Sequence, residues 1–240
     1  MSDQREPDRK ATKKPRPVKR VKRVLIVDDH PMLRKGLADL ISHESDLGAC
    51  GEADDLASAM EQVKATQPDL VIVDISLRES SGLELVKELK AQFPGLKMLM
   101  CSMHEEDLYA ERALRAGAMG YINKDRAVDD VVDAIRCVLA GRVYLSDRMA
   151  DRILNRVRGG GGDEQLKQGP MDQLTDRELE VFELFGNGMS TSEIADRLCL
   201  SPKTVDAHRQ KIKRKLDINS TSELMQYAVK WVLEETKGVI

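Results

Sequence analysis

The sequence LVIVDISL, residues 70–77, decides the fold together with VLIVDD, residues 24–29. Each run opens with four apolar residues that do not alternate with polar ones, and aspartate follows at once. Short apolar runs of this kind are typical of parallel strands that are covered on both faces. Around them, short β-type runs alternate with longer amphipathic runs, and this rhythm predicts βαβ units.

The rhythm continues through residues 22–142. We predict strands at 24–27, 49–53, 70–73, 97–101 and 120–122, and helices at 31–42, 56–66, 83–92, 107–116 and 128–140. Five such units form an open, doubly wound α/β domain. Ligands of this fold are expected at the carboxyl ends of the strands.

The rest of the chain has a different character. Residues 1–21 are basic and proline-rich, so we predict a disordered tail, with solvation favoured over DNA binding as its role. Residues 143–171 contain the glycine run 159–162 and predict a flexible linker that begins with a helix at 146–157. Residues 172–240 contain no strand pattern. They predict an all-α domain with helices at 176–185, 191–198, 202–216 and 220–232.

Composition excludes several classes of protein. The chain is 41% hydrophobic and 33% charged, and no run reaches the roughly 18 apolar residues that a membrane span needs. The N-terminus has no apolar leader, so we expect a cytoplasmic protein without membrane partners. The four cysteines are scattered, which favours reduced core residues over a zinc site or disulfides.

Carboxylates follow two of the predicted strands. Asp28 and Asp29 come directly after the first strand, and Asp74 comes directly after the third. Parallel strand ends share one edge, so these acids should converge, and converging carboxylates repel one another. Mg²⁺, which prefers carboxylate oxygens and water, would compensate the charge. Alternatively, an acid such as Asp29 could simply cap the following helix.

A hydroxyl and an ammonium follow the next strands. Ser102 ends the fourth predicted strand, and Lys124 follows the fifth. Beside a carboxylate, these two groups could hold a phosphoryl group, because the ammonium neutralises charge and the hydroxyl donates a hydrogen bond.

Four runs, VLIVDDHPMLRKGL, LVIVDISL, CSMH and GAMGYINKD, resemble the receiver domain of two-component response regulators over about residues 22–141. The HP pair and the GYINKD ending are similar to the NarL/FixJ subgroup. The resemblance implies Asp74 as the phosphoacceptor, Asp28 and Asp29 as the Mg²⁺-binding acids, and the main-chain carbonyl of Ser76 as a further metal ligand. It gives Ser102 and Lys124 the phosphoryl-holding roles inferred above.

The same resemblance assigns further positions. It implies that Tyr121 is a rotating aromatic switch; the alternative is that Tyr121 is a half-buried core residue. It also implies that Ser76 and His104 tune dephosphorylation. One departure is Asp125, where many receivers have a proline, often after a cis peptide; we expect a trans bond here.

The C-terminal part predicts a helix-turn-helix, with 191–198 as its first helix and 202–216 as its second. Residues 203–215 hold six basic residues and one acid, a net charge of +5, although a solvated lysine-rich helix would look similar. The sequence LTDRELEVFELFGNGMSTSEIADRLCLSPKTVDAHRQKIKRKL resembles the LuxR-type DNA-binding domain over residues 172–236. The resemblance implies base contacts from Asp206, Ala207 and Gln210. Phosphate contacts are expected from Lys203, Thr204, Arg209 and Lys211.

The last predicted helix has an apolar face that could serve two purposes. In LuxR-type domains this helix commonly forms the dimer contact. Its apolar residues would equally serve the domain's own core; they are Leu224, Tyr227, Ala228 and Trp231.

These features together indicate a two-component response regulator rather than a turnover enzyme. A sensor histidine kinase or small phosphodonor would phosphorylate Asp74, and the active protein would bind double-stranded DNA as a homodimer. We also hypothesise that helices 191–215 are occluded before phosphorylation. Two alternatives stay open: a Mg²⁺-dependent aspartyl-phosphate phosphatase, and a DNA-binding protein that does not depend on phosphorylation.

Overall fold

The computed structural model describes residues 20–77, 80–104, 106–158 and 170–237. Nearly all of the predicted N-terminal tail and the whole glycine run 159–162 lie outside the described residues. No helix in the described ranges has the length and apolar character needed to cross a membrane.

An all-parallel sheet forms the centre of the N-terminal α/β domain. Its strands are β1 Lys22–Val27, β2 Leu47–Ala53, β3 Leu70–Val73, β4 Lys97–Ser102 and β5 Tyr121–Asn123. The described residues form one five-stranded sheet in the order β2-β1-β3-β4-β5. Strands β1 and β3 are neighbours, and Val27 lies opposite Val73. The residues that follow these two strands therefore emerge side by side.

Helices cover both faces of the sheet. They are α1 Pro31–Ser42, α2 Leu56–Thr66, α3 Gly82–Gln92, α4 Glu106–Ala116 and α5 Ala127–Leu139. Val24 and Ile26 pack with α1 and α5, whereas Leu25 and Val27 pack in the cluster that includes α2, α3 and α4. Because strand side chains alternate between faces, non-alternating apolar strands are what two covered faces require. The predicted doubly wound fold is confirmed.

Most element ends lie within one or two residues of the prediction, and the largest difference is at the last helix, which ends at Lys237 rather than at residue 232. Strand β2 begins two residues earlier, at Leu47, because this segment pairs with β1 from Lys22 onward. A short 3₁₀ turn at Lys124–Arg126, which the sequence pattern did not predict, precedes α5. The described residues contain no cis peptide bond, so the bond between Lys124 and Asp125 is trans as expected.

The first part of the predicted linker packs against the α/β domain. Tyr121 N donates to Tyr144 O at 2.9 Å and Tyr144 N donates to Met119 O at 3.0 Å, so residue 144 extends the sheet edge beside β5. Helix α6, Asp147–Arg158, follows, and its residue Met149 is buried. The predicted helix at 146–157 is therefore present, and it is anchored at its start.

The C-terminal helical domain contains α7 Asp176–Gly186, α8 Thr191–Arg197, α9 Pro202–Lys215 and α10 Thr221–Lys237. Thr175 and Glu178 form a capping box at the start of α7, and Ser201 caps α9 by accepting from Thr204 N. Helices α7 and α10 pack closely at Gly186, where an added Cβ would lie 2.6 Å from Ala228 O.

The apolar face of α10 serves mainly the domain's own core. Leu224 and Ala228 are fully buried, and the ring of Trp231 packs edge-on against Phe182 at 5.4 Å between centroids. Of the two roles that the sequence left open for these residues, the structure shows the core role. Any dimer contact through α10 has to use its outer face.

Candidate functional site

The structure brings the predicted acids together at the carboxyl edge of the sheet. Asp28 and Asp74 follow β1 and β3, and each is 2% exposed. The ligand atoms of Asp28, Asp29, His30 and Asp74 all lie within 4.8 Å of one another. The alternative that Asp29 caps α1 is wrong, because the N-cap residue is His30 and no side chain caps that helix.

Lys124 reaches into this cluster from the end of β5. Its Nζ lies 2.6 Å from Asp74 Oδ2 and 2.7 Å from Asp28 Oδ2, and the three side chains are almost fully buried. Burial lowers the pKa of Lys124, but Asp74 and Asp28 raise it by a larger amount. The pKa therefore lies above its ordinary value, and the amine stays charged. One cation thus faces two buried carboxylates.

The local charge imbalance changes the acidity of Asp74. Burial raises the pKa of Asp74 to about 6; Lys124 opposes this rise, and Asp28 adds to it. A group with this pKa is mostly ionised at neutral pH and keeps an oxygen that can act as a nucleophile.

Asp28 and Asp29 are also engaged by residues that sequence reasoning did not assign to the site. Backbone N of His30 donates to Asp28 Oδ1 at 2.8 Å, and Arg34 donates to the main-chain oxygen of Asp28 at 2.5 Å. His30 Nδ1 comes within 2.6 Å of Asp29 Oδ1, but this buried oxygen has no hydrogen-bond donor of suitable geometry. Clustered carboxylates with an unsatisfied oxygen fit a hard divalent cation.

Gly82, the first residue of α3, contacts the backbone of Asp74. A Cβ at this position would lie 1.7 Å from Asp74 O, and Gly82 N donates to Ile75 O at 2.6 Å. No other residue type fits without displacement. Glycine next to serine is common at helix starts, so the sequence alone did not single it out.

Ser102 and Tyr121 lie beside the cluster and hold the loop that follows β4. Both are 1% exposed. Ser102 Oγ accepts from His104 N at 3.4 Å, and the Tyr121 hydroxyl donates to His104 O at 2.8 Å. Tyr121 is therefore fully buried in this structure rather than half-buried, and its hydroxyl is tied to that loop.

Helix α7 of the helical domain contacts this edge of the α/β domain. The Ser76 hydroxyl donates to Glu180 Oε1, and His104 Nε2 lies 3.0 Å from Ser76 Oγ. On the other side of the ring, His104 Nδ1 lies 2.8 Å from Glu183 Oε2, which also accepts from the Tyr109 hydroxyl at 3.1 Å. The two side chains expected to tune dephosphorylation are thus both held by the other domain.

The contact between α7 and the α/β domain pairs opposite charges. Burial lowers the pKa of His104, but the nearby carboxylates of Glu180 and Glu183 raise it to about 10. Burial raises the pKa of Glu180, but His104 and Arg177 lower it below its ordinary value. An imidazolium therefore lies between two carboxylates of α7.

A second group of contacts anchors the start of α7. Arg112 of α4 donates to the carbonyls of Met171, at 2.6 Å, and Leu174, at 3.0 Å, and it pairs with Asp176 at 3.0 Å. Lys87 of α3 donates to the same carboxylate at 2.9 Å. Sequence reasoning missed these residues and the two glutamates. No signal in the sequence marked the two glutamates, because glutamates three residues apart on a helix, as in EVFELF, are ordinarily solvated.

The predicted DNA-contacting residues lie along α9 and at its start. Lys203, Ala207, Gln210 and Lys211 are exposed, and Thr204 is half-buried. Asp206 and Arg209 pair with each other at 2.7 Å, and the Arg209 guanidinium lies 5.9 Å from the Phe185 ring centroid. These two are therefore partly engaged inside the helical domain.

The outward face of α9 is open. The α/β domain contacts α7, and the exposed residues of α9 include Arg214 as well as Lys203 and Lys211. The hypothesis that helices 191–215 are occluded is wrong for α9 in the arrangement that the structure shows. The physical reason is that the polar partners of the α/β domain, Glu180 and Glu183, lie on a different helix.

Comparisons with known proteins agree with both parts of the chain. Residues 24–136 match the family model described as "Response regulator receiver domain", and residues 172–228 match the one described as "Bacterial regulatory proteins, luxR family". The chain is 34% identical over 208 residues to the response regulator GacA of Pseudomonas viridiflava, which covers 87% of this chain and 95% of GacA.

Two further proteins are similar. The oxygen regulatory protein NreC of Staphylococcus carnosus (strain TM300) is 34% identical over 210 residues, which covers 87% of this chain and 97% of NreC. The crystal structure of a two-component response regulator of the LuxR family from Aurantimonas sp. SI85-9A1 matches with a TM-score of 0.54 and 31% identity. That match covers 57% of this chain and 99% of the other.

Proposed function

Because the chain belongs to the response-regulator family, with a receiver domain joined to a LuxR-type DNA-binding domain, we propose that Asp74 is the phosphoacceptor through which its DNA binding is controlled. As a member of this family it is a DNA-binding transcription regulator. The observation that carries the proposal is the buried cluster in which Lys124 Nζ contacts both Asp74 and Asp28.

The proposed reaction is phosphoryl transfer to a carboxylate oxygen. An oxygen of Asp74 attacks the phosphorus of a phosphohistidine on a sensor kinase or of a small acyl phosphate. The new O–P bond forms while the bond from phosphorus to the leaving nitrogen or oxygen breaks, and its electron pair goes to the leaving group. Lys124 would hold a phosphoryl oxygen by charge, and Ser102 would donate a hydrogen bond to another.

The acidic residues fit Mg²⁺. Asp28, Asp29 and Asp74 supply carboxylate oxygens, one of which lacks a donor, and the Ser76 carbonyl is the further ligand that the family resemblance implies. When bound, Mg²⁺ neutralises negative charge that collects on the phosphoryl oxygens. The chain's own residues then hold and orient the acceptor.

The proposed DNA contacts use the open face of α9. Lys203, Thr204, Arg209 and Lys211 would contact phosphates, and three residues of the same helix would reach base edges in the major groove. Those three residues are Asp206, Ala207 and Gln210. We propose that the active form is a homodimer on double-stranded DNA.

We further propose domain boundaries at 22–142 and 172–240, with 143–171 as the connection. The chain accepts a phosphoryl group without being a turnover enzyme. Since a bacterial regulator has to reach chromosomal DNA, we propose that it acts in the cytoplasm.

Phosphorylation of the full chain tests this function. We expect acetyl phosphate and Mg²⁺ to add one phosphoryl group by intact mass, and Asp74→Asn to add none. Wild-type protein that gains no mass would support the phosphorylation-independent alternative. Sustained hydrolysis of a small phosphate ester, lost in Asp74→Asn, would support the phosphatase alternative.

A further inference from the structure

Asp206 is the only acid in the basic stretch 203–215, and its side chain lies beside Arg209 on the same helix. We propose that Arg209 is a specificity-determining positioning residue, which holds the Asp206 carboxylate in the orientation that reads a base edge. This inference rests on the proposed function, because it requires α9 to enter the major groove. The role is separate from the phosphate contact proposed for Arg209, which needs only a positive charge.

Helices α7 and α8 hold the Arg209 guanidinium in place. Its Cζ lies 5.9 Å from the centroid of the Phe185 ring on α7, and its Nη1 donates at 3.5 Å to the hydroxyl of Thr191, the first residue of α8. The Arg209 side chain is 22% exposed. A planar cation that packs on an aromatic ring and bonds a hydroxyl has given up much of its rotamer freedom before DNA binds. The position of Arg209 is therefore set by the helical domain and not by α9 alone.

The guanidinium in turn orients Asp206. Arg209 Nη2 lies 2.7 Å from Asp206 Oδ1, and this oxygen is buried without a hydrogen-bond partner among the described residues. The Asp206 side chain as a whole is 49% exposed, so the exposed part is the remainder, which includes Oδ2. One carboxylate oxygen thus faces Arg209, and the other is left to accept a hydrogen bond from a base.

Charge and geometry connect this arrangement to base recognition. Phosphates repel a carboxylate that approaches DNA, and the positive charge of Arg209 offsets that repulsion. An acceptor in the major groove matches the N4 amino group of cytosine, whereas phosphates are the same at every position. Loss of the orientation should therefore lower the preference for one base pair. Affinity for duplex DNA of arbitrary sequence should stay at the value that the net charge of α9 sets.

Arg209→Lys is the variant that separates the two roles. Lysine keeps the positive charge, but its ammonium lacks the planar fork and cannot contact Phe185, Thr191 and Asp206 at once. Arg214→Lys is the matched control, because it makes the same change at an exposed position of the same helix. Asp206→Ala removes the proposed base contact itself.

The experiment selects binding sites from a random-sequence duplex library with the full chain, acetyl phosphate and Mg²⁺. We expect wild type to prefer one base pair by about tenfold at the position that loses its preference in Asp206→Ala. Arg209→Lys should lose most of the preference at that position, and Arg214→Lys should select the wild-type site. In the Asp206→Ala background, Arg209→Lys should change nothing further there. On a duplex of arbitrary sequence, the slope of log affinity against log salt should be the same in Arg209→Lys and wild type.

A second readout needs no DNA. The Hα–Hβ scalar couplings of Asp206 should report one χ1 rotamer in wild type and Arg214→Lys, and an average over rotamers in Arg209→Lys. Selection of the wild-type site by Arg209→Lys, or an equal loss of affinity on all duplexes with a smaller salt slope, would overturn the positioning role. If wild type selects no site, the proposed reading of DNA fails, while the couplings still decide whether Arg209 orients Asp206.

Discussion

Replacing Gly82 with alanine should impair phosphorylation although residue 82 has no chemical role. The new Cβ would lie 1.7 Å from Asp74 O, 2.8 Å from the carbonyl carbon and 3.0 Å from Val73 Cγ1. Ordinary contacts need about 3.5 Å, so the start of α3 and the end of β3 must separate by roughly 1.5–2 Å. We expect this overpacking to lower the free energy of unfolding by about 2–3 kcal/mol.

The same displacement moves the phosphoacceptor relative to Lys124, whose Nζ is 2.6 Å from Asp74 Oδ2. A misplacement of about 1 Å can lower the rate of a reaction by about 100-fold, and we expect a loss of that order in the rate of phosphoryl gain from acetyl phosphate. Intact mass measures the rate, and urea denaturation measures stability.

Gly36→Ala is the matched control, because a Cβ at Gly36 has no atom within 4 Å. Alanine in the middle of α1 should stabilise the protein by about 0.5–1 kcal/mol and leave the rate unchanged. Wild-type kinetics in a folded Gly82→Ala protein would refute the argument that the close approach of Gly82 positions Asp74.

Three further predictions concern the acidic cluster, the contact between the domains and the basic face of α9. Lys124→Met leaves Asp28 and Asp74 without their buried cation. The free energy of unfolding at pH 7 in metal-free buffer should therefore fall by on the order of 3 kcal/mol. The loss should be smaller at pH 5, where Asp74 is protonated. The carboxylates of α7 raise the pKa of His104 from 6.5 to about 10. The protonated His104 ring therefore stabilises docking in full below pH 6.5, and this stabilisation is lost as pH rises through about 10. Small-angle scattering should show expansion over that window, and His104→Gln should remove the dependence. Lys211→Ala should weaken DNA binding on all sequences and reduce the slope of log affinity against log salt by about 1, as measured by titration at several salt concentrations.

The sequence predicted the α/β fold well because its signals are local. The runs at 24–27 and 70–73 are apolar without alternation, which predicts buried parallel strands. An acid follows each run, so the position of the acids at the carboxyl edge of the sheet could be predicted as well. The doubly wound pattern then places the residues after β1, β3 and β5 at one edge. For that reason the convergence of Asp28, Asp74 and Lys124 could be predicted from the sequence alone.

The contact between the domains could not be predicted in the same way. Ser76 and Glu180 are 104 residues apart in the sequence, and His104 and Glu183 are 79 residues apart. Each pair joins two domains, and the sequence pattern of each domain accounts for its fold without the other domain. A glutamate on a helix is ordinarily solvated, so Glu180 carried no signal of burial. The occlusion hypothesised for α9 is not observed for this reason: the sequence singled out the helix that we propose to read DNA, but not the helix on which the receiver docks.

The open face of α9 affects how the chain searches for its operator. Lys203, Lys211 and Arg214 remain exposed while α7 is docked, so the basic surface can still attract the phosphate backbone of any duplex. Such sequence-independent attraction lets a protein slide and hop along DNA. We therefore expect the chain to stay on the chromosome before a signal arrives. The delay between signal and operator occupancy would then be set by phosphoryl transfer and undocking rather than by diffusion from the surrounding solution.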